Sequence, residues 1–388
     1  MKFVILLGFV SLFADMTYEG ARSITGPYLA LLGASAAAVG FVAGLGELLG
    51  YALRILSGYL SDRTGRYWFF TLIGYFVNLL VVPLLALAGN WQLAAVLIVS
   101  ERIGKAIRSP SRDAMLSHAT SAMGRGWGFG IHEAMDQIGA MAGPLVVAVV
   151  LFMQGQQGYG ASFAILAIPA VLALATLLTA RFLYPNPQDL EVKRITLERQ
   201  GLTRIYWLYV AAVALIAAGY ADFPLIAYHL QKTSVAPAAW IPIFYAVAMG
   251  VDAIAALVFG RLFDKYGIPI LIAGALMSAL FAPLAFSLSF GLAMAGMVLW
   301  GIGMGAQESV LRAAIAELVP ANRRGSAYGI FNTSYGVAWF LGSALMGVLY
   351  DHSLVYLVVF SILMQLASVP FLFLVRRELK VAPAQSDQ

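Results

Sequence analysis

Residues 58–66 read "GYLSDRTGR", and a shorter echo, "GRLFDKYG" (260–267), places Asp264 202 residues after Asp62. A second pair keeps nearly the same spacing. "GRGWGFGIHEAMDQIGAMAG" (124–143) and "RRGSAYGIFNTSYGVAWFLG" (323–342) are 199 apart, and Arg112 and Arg312 are 200 apart. Matches clustered at one offset read as an internal duplication, each copy about half of the 388 residues.

The material between the motifs sets the class. The chain is 61% hydrophobic and 11% charged, with mean hydropathy +0.84, which excludes a soluble globular protein. Apolar runs of about 20 residues recur throughout, the length needed to cross roughly 30 Å of hydrocarbon. Marking them between turn signals predicts twelve spans: 3–32, 37–61, 67–88, 91–118, 126–153, 160–183, 204–231, 238–262, 268–288, 291–318, 326–350 and 353–376. The first is a membrane helix rather than a cleaved signal: Asp15, Glu19 and Arg22 interrupt it, and the small-residue "ASA" lies far downstream. With no cysteine, disulfides and thiolate metal sites are excluded.

Charge orients the spans. One set of connections and termini carries sixteen Lys and Arg, the opposite set only Lys232, and the other seven of the 24 fall inside spans. This bias puts both termini in the cytoplasm and explains the pI near 9.3 without nucleic acid. The long polar stretch 184–203 then reads as a cytoplasmic linker between six-helix bundles at 1–183 and 204–377, with a cytoplasmic tail at 378–388. The fold class is an all-α membrane protein of two pseudo-symmetric halves, and parallel six-helix repeats around a midplane site are a transporter architecture.

At these residues the chain resembles the major facilitator superfamily over its whole length. The family's loop motif G-x-L-x-D-R-x-G-R is matched by Gly58, Leu60, Asp62, Arg63, Gly65 and Arg66, with Asp264 in the partial copy. The resemblance implies that Asp62 latches the cytoplasmic side against the eleventh helix, where a helix N-terminus favours a carboxylate. It also implies that Asp113 pairs with Arg66. The R-x-x-x-G motif of proton-linked exporters is met by Arg102 but has Ala106 in place of its glycine. Their G-x-x-x-G-P motif is Gly139, Gly143 and Pro144, followed by Val146 and Val147 rather than a glycine pair. More narrowly, "GKAIRSPSRDAM" is similar to a poorly characterised bacterial branch carrying G-K-G-x-R-x-x-P-R-D-A. The resemblance implies a monomer in the bacterial inner membrane, powered by a proton gradient and without cofactors.

The fourth span concentrates charge. Glu101, Lys105, Arg108 and Arg112 fall on one helical face with Arg102 beside it, and Pro110 kinks the cytoplasmic end. Each charge facing lipid would cost at least ~2.5–3.5 kcal/mol, so the stripe faces protein or water. Asp15, Glu19 and Arg22 share a face of the first span; Glu47 lies on the second, and His132, Glu133 and Asp136 on the fifth. The expected proton-coupling set is Asp15, Glu19, Arg102, Glu133 and Asp136. Arg112, Asp113 and Arg312 read as gate and packing ion pairs alongside the loop motif.

The second half presents aromatics instead: Tyr220 and Asp222 on the seventh span, Trp300 and Glu308 on the tenth, Tyr335 on the eleventh. With Arg22, Glu47, Lys105, Arg108 and His132 they form the expected substrate-binding set. A charged wall opposite an aromatic one suits a small amphiphilic solute bearing an anionic group. The expectation is a proton-coupled antiporter that exports it, with protons and membrane lipids as the other partners. A lipid-like amphiphile moved by flipping fits the same cavity. A divalent-metal exporter is the alternative, using Asp15, Glu19, His132, Glu133 and Asp136. Neither H-E-x-x-H nor a nucleophile elbow occurs, so an enzyme is not expected.

Overall fold

The structure, a computed structural model, describes residues 2–120, 125–185, 202–319 and 324–381. At 117–120, 125–131, 312, 316–317, 324–326 and 380–381 only the backbone is described, so the Arg312 side chain falls outside. Most of the 184–203 connection and of the 378–388 tail lies outside as well.

The described residues form fifteen α-helices, joined in two places by short 3-10 turns. The first seven are α1 (Lys2–Leu31), α2 (Ala36–Thr64), α3 (Tyr67–Leu84), α4 (Trp91–Thr120), α5 (Arg125–Gln154), α6 (Tyr159–Ile165) and α7 (Ala167–Leu183). Then come α8 (Arg204–Ala218), α9 (Phe223–Lys232), α10 (Trp240–Tyr266), α11 (Pro269–Ser278) and α12 (Phe281–Ala285). The last three are α13 (Phe290–Leu318), α14 (Arg324–His352) and α15 (Leu354–Val381). Eight stretches among the described residues are long and apolar enough to cross a membrane. Helix α4 is not one of them, because six charged residues between 101 and 113 interrupt it.

Helix α3 shows what solvent these helices were built for. Phe69, Ile73, Phe76, Leu80 and Leu84 form one exposed stripe, while Thr71, Gly74, Tyr75 and Asn78 are buried. Apolar outside and polar inside is the reverse of a water-facing helix, and it suits a helix whose outer face meets acyl chains.

The chain resolves into two compact units. One comprises Met1–Ala34, Leu45–Arg194 and Ala227–Ala246; the other comprises Ser35–Gly44, Ile195–Ile226 and Val247–Gln388. Helices α2, α9 and α10 therefore contribute residues to both. In the first unit α1 packs chiefly on α5 and α7, and α3 on α4. Glycine sets these distances. A Cβ at Gly143 would overlap the Met16 carbonyl oxygen, one at Gly139 the Leu12 carbonyl, and one at Gly104 the Asn78 backbone. Small residues let helices approach where lipid gives no hydrophobic drive to associate.

In the second unit α8 packs on α14 and α15, and α11 and α12 on α13. The seventh predicted span is broken at Gly219–Asp222, between α8 and α9. A break in hydrocarbon needs substitute donors for the freed carbonyls. Gln365 donates to Ile216 O at 3.0 Å, Ser361 to Gly219 O at 2.6 Å and Trp300 Nε1 to Ala221 O at 2.9 Å. Discontinuous helices of this kind belong to transporter folds.

The two motif copies share a backbone conformation. Gly65 and Gly267, the last glycines of the two motif copies, both have φ +65°. Both sit where a helix ends, after α2 and after α10, in the left-handed conformation that glycine adopts without steric cost.

Candidate functional site

Polar side chains run along one face of α1. Ser11, Asp15, Glu19 and Arg22 follow one another at helical spacing, and each of the four meets a named partner.

Arg22 Nη2 lies 3.2 Å from Glu47 Oε1 on α2, and Arg102 Nη1 on α4 reaches the same oxygen at 3.6 Å. Arg102 Nε is 3.3 Å from Glu101 Oε2, whose other carboxylate oxygen accepts from Asn78 Nδ2 at 2.6 Å. Glu19 is held on both oxygens. Lys105 Nζ is 3.8 Å from Oε1, and the Tyr245 hydroxyl of α10 donates to Oε2 at 2.5 Å. The Lys105 ammonium also sits 4.0 Å above the Tyr18 ring, a cation–π contact worth ~2 kcal/mol when desolvated. Three carboxylates, Glu19, Glu47 and Glu101, thus face three cations, Arg22, Arg102 and Lys105. The set is neutral and largely buried, as ions at membrane depth require.

Toward the N-terminal end of α1 Tyr18 donates to Asp15 Oδ1. Ser11 accepts from Arg112 Nη1 at 3.1 Å, and its hydroxyl lies 3.2 Å from His132 Nε2 on α5. His132 Nε2 is 3.7 Å from Asp136 Oδ2. Arg112 is fixed by its neighbour Asp113, at 2.8 Å. No ion pair joins Asp113 to Arg66 among the described residues; Arg112 takes that carboxylate. Arg108 is fully buried between Tyr75 and Tyr18, its guanidinium carbon 4.1 Å and 5.7 Å from the two ring centres. Glu133 stands apart, on the exposed side of α5, where Gln137 donates to it at 3.5 Å.

The loop motif is partly tied. Asp62 accepts from Tyr67 at 3.0 Å and Arg63 donates to Tyr59 at 3.2 Å, while Gly58 lets α2 lie against Pro110. Asp264 is exposed. Gly139, Gly143 and Pro144 lie on the α5 segment that meets α1. In the second unit Trp300, Tyr220, Trp339 and Tyr335 form a buried aromatic string in that order, with ring centres 5.5–5.7 Å apart from one to the next. Tyr220 donates to Trp300 O, and Tyr335 to Gln307 Oε1 at 3.1 Å. Asp222 is buried at the helix break and Glu308 is exposed.

Sequence reasoning did not single out Ser11, Tyr18, Tyr75, Asn78 or Tyr245. Ser11 could have been found, since it continues the Asp15, Glu19, Arg22 periodicity one turn back. Among the described residues no three His, Asp or Glu side chains converge as metal ligands. Asp15 and Glu19 are instead engaged by Tyr18, Lys105 and Tyr245.

Long apolar helices, one broken helix and a buried ion network along α1 are the marks of a multi-pass transporter. The family profile of the Major Facilitator Superfamily matches residues 6–342 and 206–388, and the chain belongs to that family. It is 42% identical to an uncharacterized protein of Mycobacterium tuberculosis, over 99% of this chain and 95% of that one. It is 29% identical to an uncharacterized MFS-type transporter of Methanocaldococcus jannaschii, over 91% and 89%. Among solved structures, a bacterial homolog of the human lysosomal transporter Spinster, in an inward-facing and occupied conformation, superposes with TM-score 0.79. That match covers 96% of each chain at 15% identity, and it speaks to the fold alone.

Proposed function

We propose that the protein is a proton-coupled exporter that moves a small amphiphilic organic solute by alternating access. The observation that carries this is the double engagement of Glu19 by Lys105 and Tyr245. In a neutral, buried network a proton arriving on Glu19 leaves Lys105 without its counter-charge. The loss is large in a low-dielectric site, so protonation and side-chain arrangement are linked. Asp15 and Asp136 are the next carboxylates along the column, and Arg102 is the counter-charge shared by Glu47 and Glu101. Protonation of Glu19 frees Lys105, which then favours a solute with an anionic group.

The topology proposed with it has twelve spans in two six-helix halves, 1–183 and 204–377, with both termini in the cytoplasm of a bacterial inner membrane. The Lys and Arg asymmetry supports that orientation, and the paired glycines at 65 and 267 support the repeat. Export over import rests on Arg102 and on the Gly139, Gly143, Pro144 motif.

The test is solute flux in proteoliposomes bearing an imposed pH gradient, with candidate solutes first chosen by thermal shift. Flux that rises with the gradient and falls when it is collapsed supports coupling. Flux indifferent to the gradient removes it.

A further inference from the structure

We propose that the seam between α3 and α4 binds a small inorganic anion of halide size, held by Arg108 together with the hydroxyls of Thr71, Tyr75 and Ser111. Arg108 is 0% exposed, as are Thr71, Tyr75 and Ser111. A guanidinium stays charged in any protein environment. Yet Nε, Nη1 and Nη2 of Arg108 all lack a hydrogen-bond partner, and no carboxylate lies within ion-pair distance among the described residues. Its near contacts are the faces of the Tyr75 and Tyr18 rings. The hydroxyls of Thr71, Tyr75 and Ser111 are buried without a partner too.

Helix register brings these groups to one level. Gly74 lies against the Arg108 backbone and Asn78 against Gly104, so the antiparallel helices set Thr71 and Tyr75 beside Arg108 and Ser111. Asp15, the carboxylate one might expect to neutralise Arg108, accepts from Tyr18 instead. The result is a buried cluster of unpartnered groups that can donate: five N–H bonds of a cation and three rotatable hydroxyls. Left unpaired, a buried cation is strongly destabilising; the guanidinium can only donate and the hydroxyls can turn their protons toward the same ligand, so the cluster favours an anion over a cation. Complete burial limits that anion to one or a few atoms and leaves no room for the head group of an organic solute.

The test uses the purified full-length protein in detergent, exchanged into gluconate at constant ionic strength. Its thermal midpoint is followed as chloride or bromide replaces gluconate. A saturable rise of several degrees with either halide, absent with sulfate, is expected. Thr71→Val and Ser111→Ala each remove one donor to the ion and should raise the half-saturating concentration about tenfold. In bromide-soaked crystals an anomalous peak should lie between Arg108 and Thr71. A midpoint indifferent to halide, a response equally strong in both variants, or density there without anomalous signal would mean that water fills the seam, and would overturn the proposal. Arg108→Gln should abolish the halide response; if it fails to fold, the two hydroxyl variants and the anomalous signal still decide.

Discussion

The Tyr245 hydroxyl donates to Glu19 Oε2 at 2.5 Å, joining residues 226 positions apart on α10 and α1. Lys105 holds the other oxygen of the same carboxylate at 3.8 Å. Glu19→Gln keeps a group that can accept from Tyr245 but removes the charge that holds Lys105. Gradient-driven flux should fall at least about tenfold, equal to ~1.4 kcal/mol of lost coupling, while solute exchange without a gradient survives. Tyr245→Phe leaves the charge in place, so flux should weaken yet still follow the gradient. Flux through Glu19→Gln that tracks the pH gradient as in the wild type would move the proton to another carboxylate.

Arg22 and Arg102 share Glu47 Oε1 at 3.2 Å and 3.6 Å. Glu47→Ala strands two guanidinium groups facing each other, and breaking a buried pair in this way costs ~3–5 kcal/mol. Adding Arg22→Met should recover part of the loss, because Arg102 still has Glu101. A double-mutant cycle of thermal or denaturant unfolding in detergent measures the coupling, expected at more than ~1 kcal/mol. Additive effects would show that the pair contributes nothing jointly.

The glycine seam makes a contrasting prediction. A side chain at Gly143 collides with the Met16 carbonyl and the Gly20 nitrogen, whereas one at Gly291 in α13 meets nothing within 4 Å. Gly143→Leu should therefore lower stability by more than ~3 kcal/mol or prevent folding. Gly291→Ala should be neutral or slightly stabilising, by up to ~1 kcal/mol. Folded yield after size exclusion and thermal midpoints separate the two.

Much of the buried network is legible in the sequence, for a physical reason. Ions at membrane depth must meet ions, so the spacing of Asp15, Glu19 and Arg22 and the α4 stripe mark a buried network wherever partners exist. The motif glycines could be read because a left-handed turn admits few other residues. Tyr245 could not be read. Tyrosine is common in apolar helices, and nothing local distinguishes the one whose hydroxyl reaches a carboxylate 226 residues away. Glu133 neighbours Asp136 at i, i+3 by the helical period, yet its side chain is exposed and engages Gln137, a burial difference that spacing alone does not reveal. The break at Gly219–Asp222 was hidden because its donors, Gln365, Ser361 and Trp300, come from distant helices.

Gly65 and Gly267 share φ +65° in equivalent turns. A side chain there brings Cβ toward the following carbonyl, at ~1–2 kcal/mol. Gly65→Ala and Gly267→Ala should each lower stability by about that amount, and the double variant by their sum, since the positions belong to separate turns. Unequal costs would show that only one copy of the motif retains its strained turn.

The absence of cysteine gives the topology a clean test, because any thiol introduced is the only one present. Gln156 lies in the turn after α5 and Lys265 in the last turn of α10; both are exposed, and the charge bias assigns them to opposite sides. A membrane-impermeant maleimide added to intact spheroplasts should label Gln156→Cys and spare Lys265→Cys until the membrane is permeabilised. Exchanging one neutral and one basic exposed residue for cysteine leaves at least fifteen of the sixteen orienting charges in place, so the variants should keep the wild-type orientation. Labelling of both from outside would contradict the count of spans between them. The reverse pattern would invert the chain, put its termini outside, and turn the proposed export into import.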